Sequence, residues 1–520
     1  MPRRLFSIHR LGAAVAVGVC LVWASASAAE RSSSYLVAMA SIRADQLQGH
    51  VELLADDDLE GREAGSRGGR AAGDYLAARL EELGLEAAGE DGGFFQPFGS
   101  GYRNVLAKLP GSDPELARQY VLVGAHYDHV GYGTRRNSLG PVGQIHNGAD
   151  DNASGTSALL ELAEALGMLP GPPRRSILLV GWDAEEKGLL GSKHWLAHPT
   201  VPSAELVAAI NVDMIGRLRD DRLIVFGSRT GFGWRRLVSS ENEALDLELE
   251  FSWSLEPNGD HYPLVDRRLP VLMLHTGVHD QYHRPSDDAR LINAEGIERV
   301  ARLLFGIVYE LADCDKVPGF REAARRETEK TQRLLIGRLP PREDRLGAGW
   351  DDREASEEGV RLGRIVWGSP AHRAMLRAGD RVVEFAGRWI GSADDLAAAV
   401  MAAPSPAPVV VRRPGSEEPI ELSVALDGEP MRLGIRWRVD DAEPGTVILT
   451  SVVPGSPAER AGLEVGDHVY RIAGRDFADD AEFAELARSL PGPIELLIER
   501  NGRLRTVVVG IDAEDLRRAA

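Results

Sequence analysis

Five short clusters in this chain carry side chains that can ligate a metal ion or move a proton. They are Gly124-Ala125-His126-Tyr127-Asp128, Gly148-Ala149-Asp150-Asp151-Asn152-Ala153-Ser154-Gly155, Trp182-Asp183-Ala184-Glu185-Glu186-Lys187-Gly188, Asn211-Val212-Asp213-Met214-Ile215-Gly216 and His279-Asp280-Gln281-Tyr282-His283-Arg284-Pro285. In the first, a histidine and an aspartate two residues apart can act together. One imidazole nitrogen binds a metal while the carboxylate holds the other N–H and fixes the tautomer. In the second, adjacent carboxylates before a helix either cap its N-terminus or, flanked by glycine and small residues, approach a cation. In the third, adjacent glutamates after a buried strand are costly unless they face positive charge, and one can bind metal while its neighbour takes protons. Asp213 sits among apolar residues and needs a partner. His279 and His283, each taken alone, are more often structural than ligating.

The clusters need elements to position them. Short apolar runs at Tyr120–Ala125, Ser176–Gly181, Leu206–Val212 and Pro270–Leu274 each end just before a cluster. Ser154–Met168 has helical spacing of Leu and Ala. Asn293–Ala312 does too, with apolar residues at Ile297, Val300, Leu303, Leu304, Ile307 and Val308. Strands alternating with helices imply a sheet covered on both faces, with ligands bound outside the carboxyl ends of its strands. The expected fold is α/β: a three-layer αβα domain over residues 30–315 around a mostly parallel central sheet.

In this order the clusters resemble the di-zinc aminopeptidase family of the bacterial leucyl aminopeptidase type, to which glutamate carboxypeptidase II and the glutaminyl cyclases are related. The resemblance covers residues 42–313 and includes Leu54-Ala55, Leu59-Glu60-Gly61-Arg62 and Asp260-His261. It implies that His126 and Asp213 hold one metal, that Glu186 and His283 hold the other, and that Asp151 bridges both. It further implies Asp128 as the partner of His126, Glu185 as the general base, and the Tyr282 hydroxyl as an oxyanion donor. Asp150 matches a variable position of the family and receives no role. The peptide bond after Asp151 is often cis in such enzymes. Oxygen and nitrogen ligands without thiolate fit two zinc ions per chain.

The activity implied is hydrolysis of the N-terminal residue of peptide substrates. A glutaminyl cyclase would use one zinc with a reduced ligand set, and here all five positions are filled, which favours hydrolysis. An inactive peptide-binding relative would have lost ligands. A carboxypeptidase would need basic groups for the substrate carboxylate, for which Arg217, Arg219, Arg229 and Arg284 are the candidates by position. Trp234, Phe251, Trp253 and Tyr262 fall where a specificity pocket could be lined, although aromatic residues more often fill cores.

The C-terminal third repeats itself. Arg345-Leu346-Gly347 recurs as Arg432-Leu433-Gly434, Gly368-Ser369-Pro370-Ala371 as Gly455-Ser456-Pro457-Ala458, and Ala386-Gly387-Arg388 as Ala473-Gly474-Arg475, always 87 residues on. Two tandem copies of one small β-rich domain follow, at 341–427 and 428–513. Both resemble PDZ domains. The resemblance makes Leu346-Gly347-Ala348-Gly349 and Leu433-Gly434-Ile435-Arg436 the loops that would cradle the carboxylate of a peptide or protein C-terminus, the peptide adding as an edge strand. Alternatively the modules only dock on the first domain. Residues 316–340 are charged and read as a linker, helical from Arg321 to Leu335.

The 520 residues, 43% of them apolar, suffice for two to four domains. With 60 basic against 79 acidic residues, a net charge of −19 argues against nucleic-acid or anionic-membrane partners. Arg3, Arg4 and Arg10, then the apolar Leu11–Trp23 and the Ala-x-Ala patterns at 24–28, read as an export signal over residues 1–29. That run is too short for a stable membrane span, so a periplasmic or secreted location is expected. The cysteines are Cys20 and Cys314, and the loss of Cys20 with the signal would leave no partner for an internal disulfide.

Overall fold

The computed structural model describes residues 31–336, 345–350, 359–428, 430–453 and 456–511. The expected export signal at 1–29, with Cys20, lies outside these residues, as does the end of the expected linker from 337.

Nine strands form the first sheet: β1 (Glu86–Ala87), β2 (Phe95–Phe98), β3 (Tyr102–Leu109), β4 (Tyr120–His126), β5 (Ser176–Trp182), β6 (Leu206–Val212), β7 (Arg222–Phe226), β8 (Glu248–Phe251) and β9 (Val271–His275). Their order is β1-β3-β5-β4-β6-β9-β7-β8, with β2 paired to β3. The central strands β5, β4, β6 and β9 run parallel. Outside them β3 pairs antiparallel with β5, and β7 antiparallel with β9. The sheet is therefore mixed, with a parallel centre.

Alternation along the strands feeds two cores. Val121, Val123, Ile177, Leu179 and Ile210 point to one face, where they meet α1 (Ser33–Ser41), α2 (Ala44–Leu54), α3 (Arg67–Glu82), α4 (Gly155–Gly167), α6 (Trp234–Glu241) and α8 (Ala294–Asp313). Leu122, Leu178, Val180 and Ala209 point to the other, against α5 (Leu190–Ala197) and α7 (His261–Val265). The period-two pattern with both faces apolar is what a sheet covered on both sides requires. Helix α8 starts where the Asn293 side chain accepts the Gly296 N–H at 2.9 Å, and its apolar stripe is fully buried.

The segment after α8 departs from the expected single helix. A short 3₁₀ turn (Glu322–Arg326) and α9 (Glu329–Ile336) are separated by Glu327 and Thr328. Glu327 breaks the helix because its carboxylate turns inward, accepting from Arg229 and Arg321.

The two repeats fold alike. The first contains β10 (Ala348–Trp350), β11 (Val360–Ile365), α10 (Pro370–Arg373), β12 (Arg381–Phe385), β13 (Arg388–Trp389), α11 (Ala393–Ala402), β14 (Ala407–Arg412) and β15 (Ile420–Val424). The second contains β16 (Ile435–Val439), β17 (Val447–Val452), α12 (Pro457–Arg460), β18 (His468–Ile472), α13 (Asp480–Ser489), β19 (Ile494–Arg500) and β20 (Arg503–Val509). The glycine at the second position of each expected carboxylate loop, Gly347 and Gly434, has positive φ. A Cβ there would lie 2.1 Å from the side chain of Ser369 or Ser456, so only glycine fits. Asp380 pairs with Arg413 as Asp467 pairs with Arg500.

The second repeat is docked on the first domain. Helix α6 has no side-chain cap of its own, and Glu443 supplies one from the loop after β16, accepting the N–H groups of Arg235 and Arg236 at 2.8 and 3.2 Å. Arg229 pairs with Asp440 and Arg235 with Glu499, all four largely buried. Between β16 and α13 a groove of about 540 Å³ remains, lined by Leu433, Gly434, Ile435, Trp437, Asp480 and Ala487. Among the described residues no helix is long and apolar enough to cross a membrane.

Candidate metal centre

All five clusters lie at the carboxyl ends of the central strands, where a parallel sheet binds its ligands. His126 ends β4, Glu185 and Glu186 follow β5, Asp213 follows β6, His283 lies in the loop after β9, and Asp151 occupies the turn that opens α4. Positive φ at Ala184, Met214 and His283 bends the backbone beside or at these residues. Non-glycine residues take that conformation at a cost, which surrounding contacts must offset.

The side chains meet around Asp151. His126 Nε2 lies 3.3 Å from Asp151 Oδ1 and 3.4 Å from Asp213 Oδ1. His283 Nε2 lies 3.1 Å from Asp151 Oδ2 and 3.2 Å from Glu186 Oε2. Sequence reasoning missed His129, whose Nδ1 is 2.9 Å from Glu186 Oε1 and 3.6 Å from Asp151 Oδ2. Its available signal was the spacing, three residues beyond His126 on the same strand end. Two sets of ligand atoms result, His126–Asp151–Asp213 and His129–Asp151–Glu186, each with its atoms within 4.8 Å of one another.

The supporting contacts are specific. Asp128 Oδ1 lies 3.7 Å from His126 Nδ1, but the nearer acceptor is the Asp128 backbone carbonyl at 3.1 Å. Its carboxylate instead accepts the Glu185 N–H at 3.0 Å. His283 Nδ1 is fixed by the Asn137 carbonyl at 2.8 Å. Asp287 accepts the N–H groups of Asp150 and Asp151 at 2.9 and 3.1 Å and pairs with Arg217. Buried Arg62, from the Leu59–Arg62 segment, donates to the carbonyls of Leu54, Tyr127, Asn147 and Gly148, tying together the loops that precede Asp151 and follow His126. Asp150 faces away from the centre, accepting from Gly216 N–H at 2.6 Å and lying 3.1 Å from His279 Nε2. The Asp151–Asn152 peptide is cis.

Electrostatics follow from burial and crowding. Burial lifts Glu185 well above the ordinary carboxylate range, opposed by His126 and reinforced by Glu186, Asp260 and Asp213. Against burial, the neighbouring histidines hold Asp151 well below that range and lower Glu186. His283 is raised to about 10: burial pulls it down, but Asp151 and Glu186 outweigh this. Burial raises the Tyr282 hydroxyl, helped by Asp151 and Glu186, and the Tyr282 ring stacks on His283 with centroids 3.9 Å apart.

This donor set fits zinc. It offers only imidazole nitrogens and carboxylate oxygens, buried and mutually within ligand spacing, and the crowded carboxylates need a cation. The two sets share one carboxylate.

The candidate substrate arginines are placed differently from one another. Arg229 is buried in the contact with the second repeat and Arg217 is tied to Asp287, whereas Arg219 and Arg284 are exposed. Trp234 is wholly buried, Phe251 and Trp253 lie beneath Arg235 and Arg229, and Tyr262 is partly buried.

Comparison with known proteins agrees with this reading. Residues 104–308 match the Peptidase family M28 profile, and residues 448–500 match the PDZ domain profile. The chain is 27% identical over 277 residues to leupeptin-inactivating enzyme 1 of Streptomyces exfoliatus, covering 52% of this chain and 58% of that protein. It is 29% identical over 213 residues to aminopeptidase YwaD of Bacillus subtilis, covering 38% of this chain and 42% of that one. The match thus spans about half the length of these relatives. A crystal structure of the Legionella pneumophila LapA aminopeptidase aligns at 19% identity and a TM-score of 0.46, over 54% of this chain and 75% of that one. The chain therefore carries a peptidase family M28 domain, joined to a β-rich C-terminal part that includes a PDZ domain at residues 448–500.

Proposed function

We propose that this protein is an exported metallo-aminopeptidase that removes N-terminal residues from peptides, using two zinc ions per chain. The observation that carries the reading is the Asp151 carboxylate, whose Oδ1 faces His126 while its Oδ2 faces His283. A pair of catalytic ions would be held by two ligand sets side by side, and Asp151 is common to both sets. His126 and Asp213 would hold one ion, Glu186 and His283 the other, with His129 beside the second. When bound, the zinc ions supply an activated water and polarise the scissile carbonyl.

The protein's own groups do the rest. Glu185, buried and proton-hungry, takes a proton from the attacking water and later delivers it to the leaving amine. Asp128 fixes the Glu185 backbone through its N–H. The Tyr282 hydroxyl stays protonated and can donate to the developing oxyanion. Residues 30–315 would form the peptidase unit, 316–340 the linker, and 341–427 and 428–513 the two PDZ-like modules. The groove beside β16 suits a peptide C-terminus. Residues 1–29 would direct the chain to the periplasm or the medium.

The deciding experiment is a panel of aminoacyl chromogenic substrates, an N-terminal Gln peptide and N-blocked peptides, each with and without chelator. Chelator-sensitive release of free N-terminal residues is expected. Cyclisation of the Gln peptide without hydrolysis would move the protein to the cyclases, and no chelator-sensitive reaction at all would remove the enzyme reading.

A further inference from the structure

Arg229 is buried at the junction of three parts of the chain. Its guanidinium donates to Glu327 at 2.7 and 3.0 Å and to Asp440 at 2.9 and 3.0 Å. Glu327 belongs to the linker and Asp440 to the loop that leaves β16 of the second PDZ-like module. The Arg229 Cζ also lies 3.5 Å from the centroid of the Trp253 ring. Linker residue Glu329 grips the same point, accepting the N–H groups of Trp253 and Ser254 at 2.9 and 3.3 Å.

From Trp253 the chain runs directly to the metal centre. A Cβ added at Gly259 would lie 3.4 Å from Asp213 Oδ2. Asp260 is fully buried and accepts the Ser192 hydroxyl. Residues 252–260 contain no regular element until α7 begins at His261, so contacts from outside must fix their path.

We infer that Arg229 is a positioning residue: through its stack on Trp253 and its fork to Asp440, the second PDZ-like module and the linker hold in place the 252–260 segment, which passes the candidate ligand Asp213 at Gly259. The module is on this account a working part of the peptidase, not a tethered accessory. The inference rests on the peptidase reading for its kinetic consequence, and on geometry alone for its structural one. A planar guanidinium that is doubly forked and stacked has no equivalent in lysine.

The test is Asp440→Asn in the full-length, zinc-loaded chain. It should lower kcat/KM for peptide substrates by about 10- to 100-fold, chiefly through KM, because small displacements of positioning groups cost that much. Zinc content should not change, and amide exchange at Trp253 and Ser254 should quicken while that of β5 does not. Arg229→Lys should not preserve the wild-type KM. If Asp440→Asn does not fold, Glu329→Ala, at the exposed side of the clamp, should quicken the same amides. Unchanged exchange at these amides, a wild-type KM, or loss of zinc as the sole defect would overturn the inference. A wild-type chain that hydrolyses nothing, yet shows the exchange change on mutation, would sink the peptidase reading and leave the clamp standing.

Discussion

The carboxylate of Asp128 accepts the backbone N–H of Glu185 at 3.0 Å, while the Asp128 carbonyl lies 3.1 Å from His126 Nδ1. One residue at the end of β4 thus orients both a candidate ligand and the candidate base after β5. The parallel pairing of these strands, with His126 opposite Trp182, brings the two clusters side by side.

If Glu185 moves the proton, Glu185→Ala should lower kcat by at least about 10²–10⁴, the usual worth of a general base. Zinc content and melting temperature should stay near wild type, because Glu185 is not in either ligand set. Near-wild-type turnover in this variant would remove Glu185 from the mechanism.

Asp151 is the residue common to both ligand sets. Asp151→Ala should therefore lose both zinc ions, not one. Metal analysis of the purified variant decides this, and a remaining stoichiometry of two would refute the bridging role.

His129 touches only the Glu186 side of the centre. His129→Ala should weaken one zinc by about 10–100-fold, the range seen when groups supporting a metal site are removed, and leave the other unchanged. Chelator competition should then show two release steps where the weaker has moved. Equal weakening of both steps would contradict the placement.

The docking of the second module carries its own pH dependence. Burial, aided by Asp440, raises Glu443 to about 8 from an ordinary value of 4.5. The folded chain thus holds an extra proton there between these values, and stability falls as pH rises through that window. Asp440 acts oppositely: despite burial, His468 and Arg229 hold it far below 3.8, so its contribution is present above that value and lost only in strong acid. Glu443→Gln should remove part of the fall in melting temperature as pH rises from 4.5 to about 8, the window between the two Glu443 values. A difference between variant and wild type that does not change with pH would exclude this role.

Much of this protein is legible in its sequence. The apolar runs at β4, β5 and β6, the helical stripe of α8 and the spacing of the two repeats are local or periodic, and local pattern reports directly on burial. The five clusters gained meaning from their order and from resemblance to a known family. Other features left no such trace. His129 received no role from the sequence, and only the fold sets it beside Glu186. Glu327 broke an expected helix because Arg229 and Arg321 claimed its carboxylate. Arg229 read as a possible substrate contact, and it is buried against Asp440, a residue of another module. The sequence by itself determined the central strands β4, β5, β6 and β9 and the helices α4 and α8, that the C-terminal part is duplicated, and which residue types could bind metal. Only the tertiary structure decided which of those residues converge, that the sheet has antiparallel flanks, and that the second module is built into the first domain. Pairings between residues hundreds of positions apart depend on packing geometry, which no periodicity along the chain encodes.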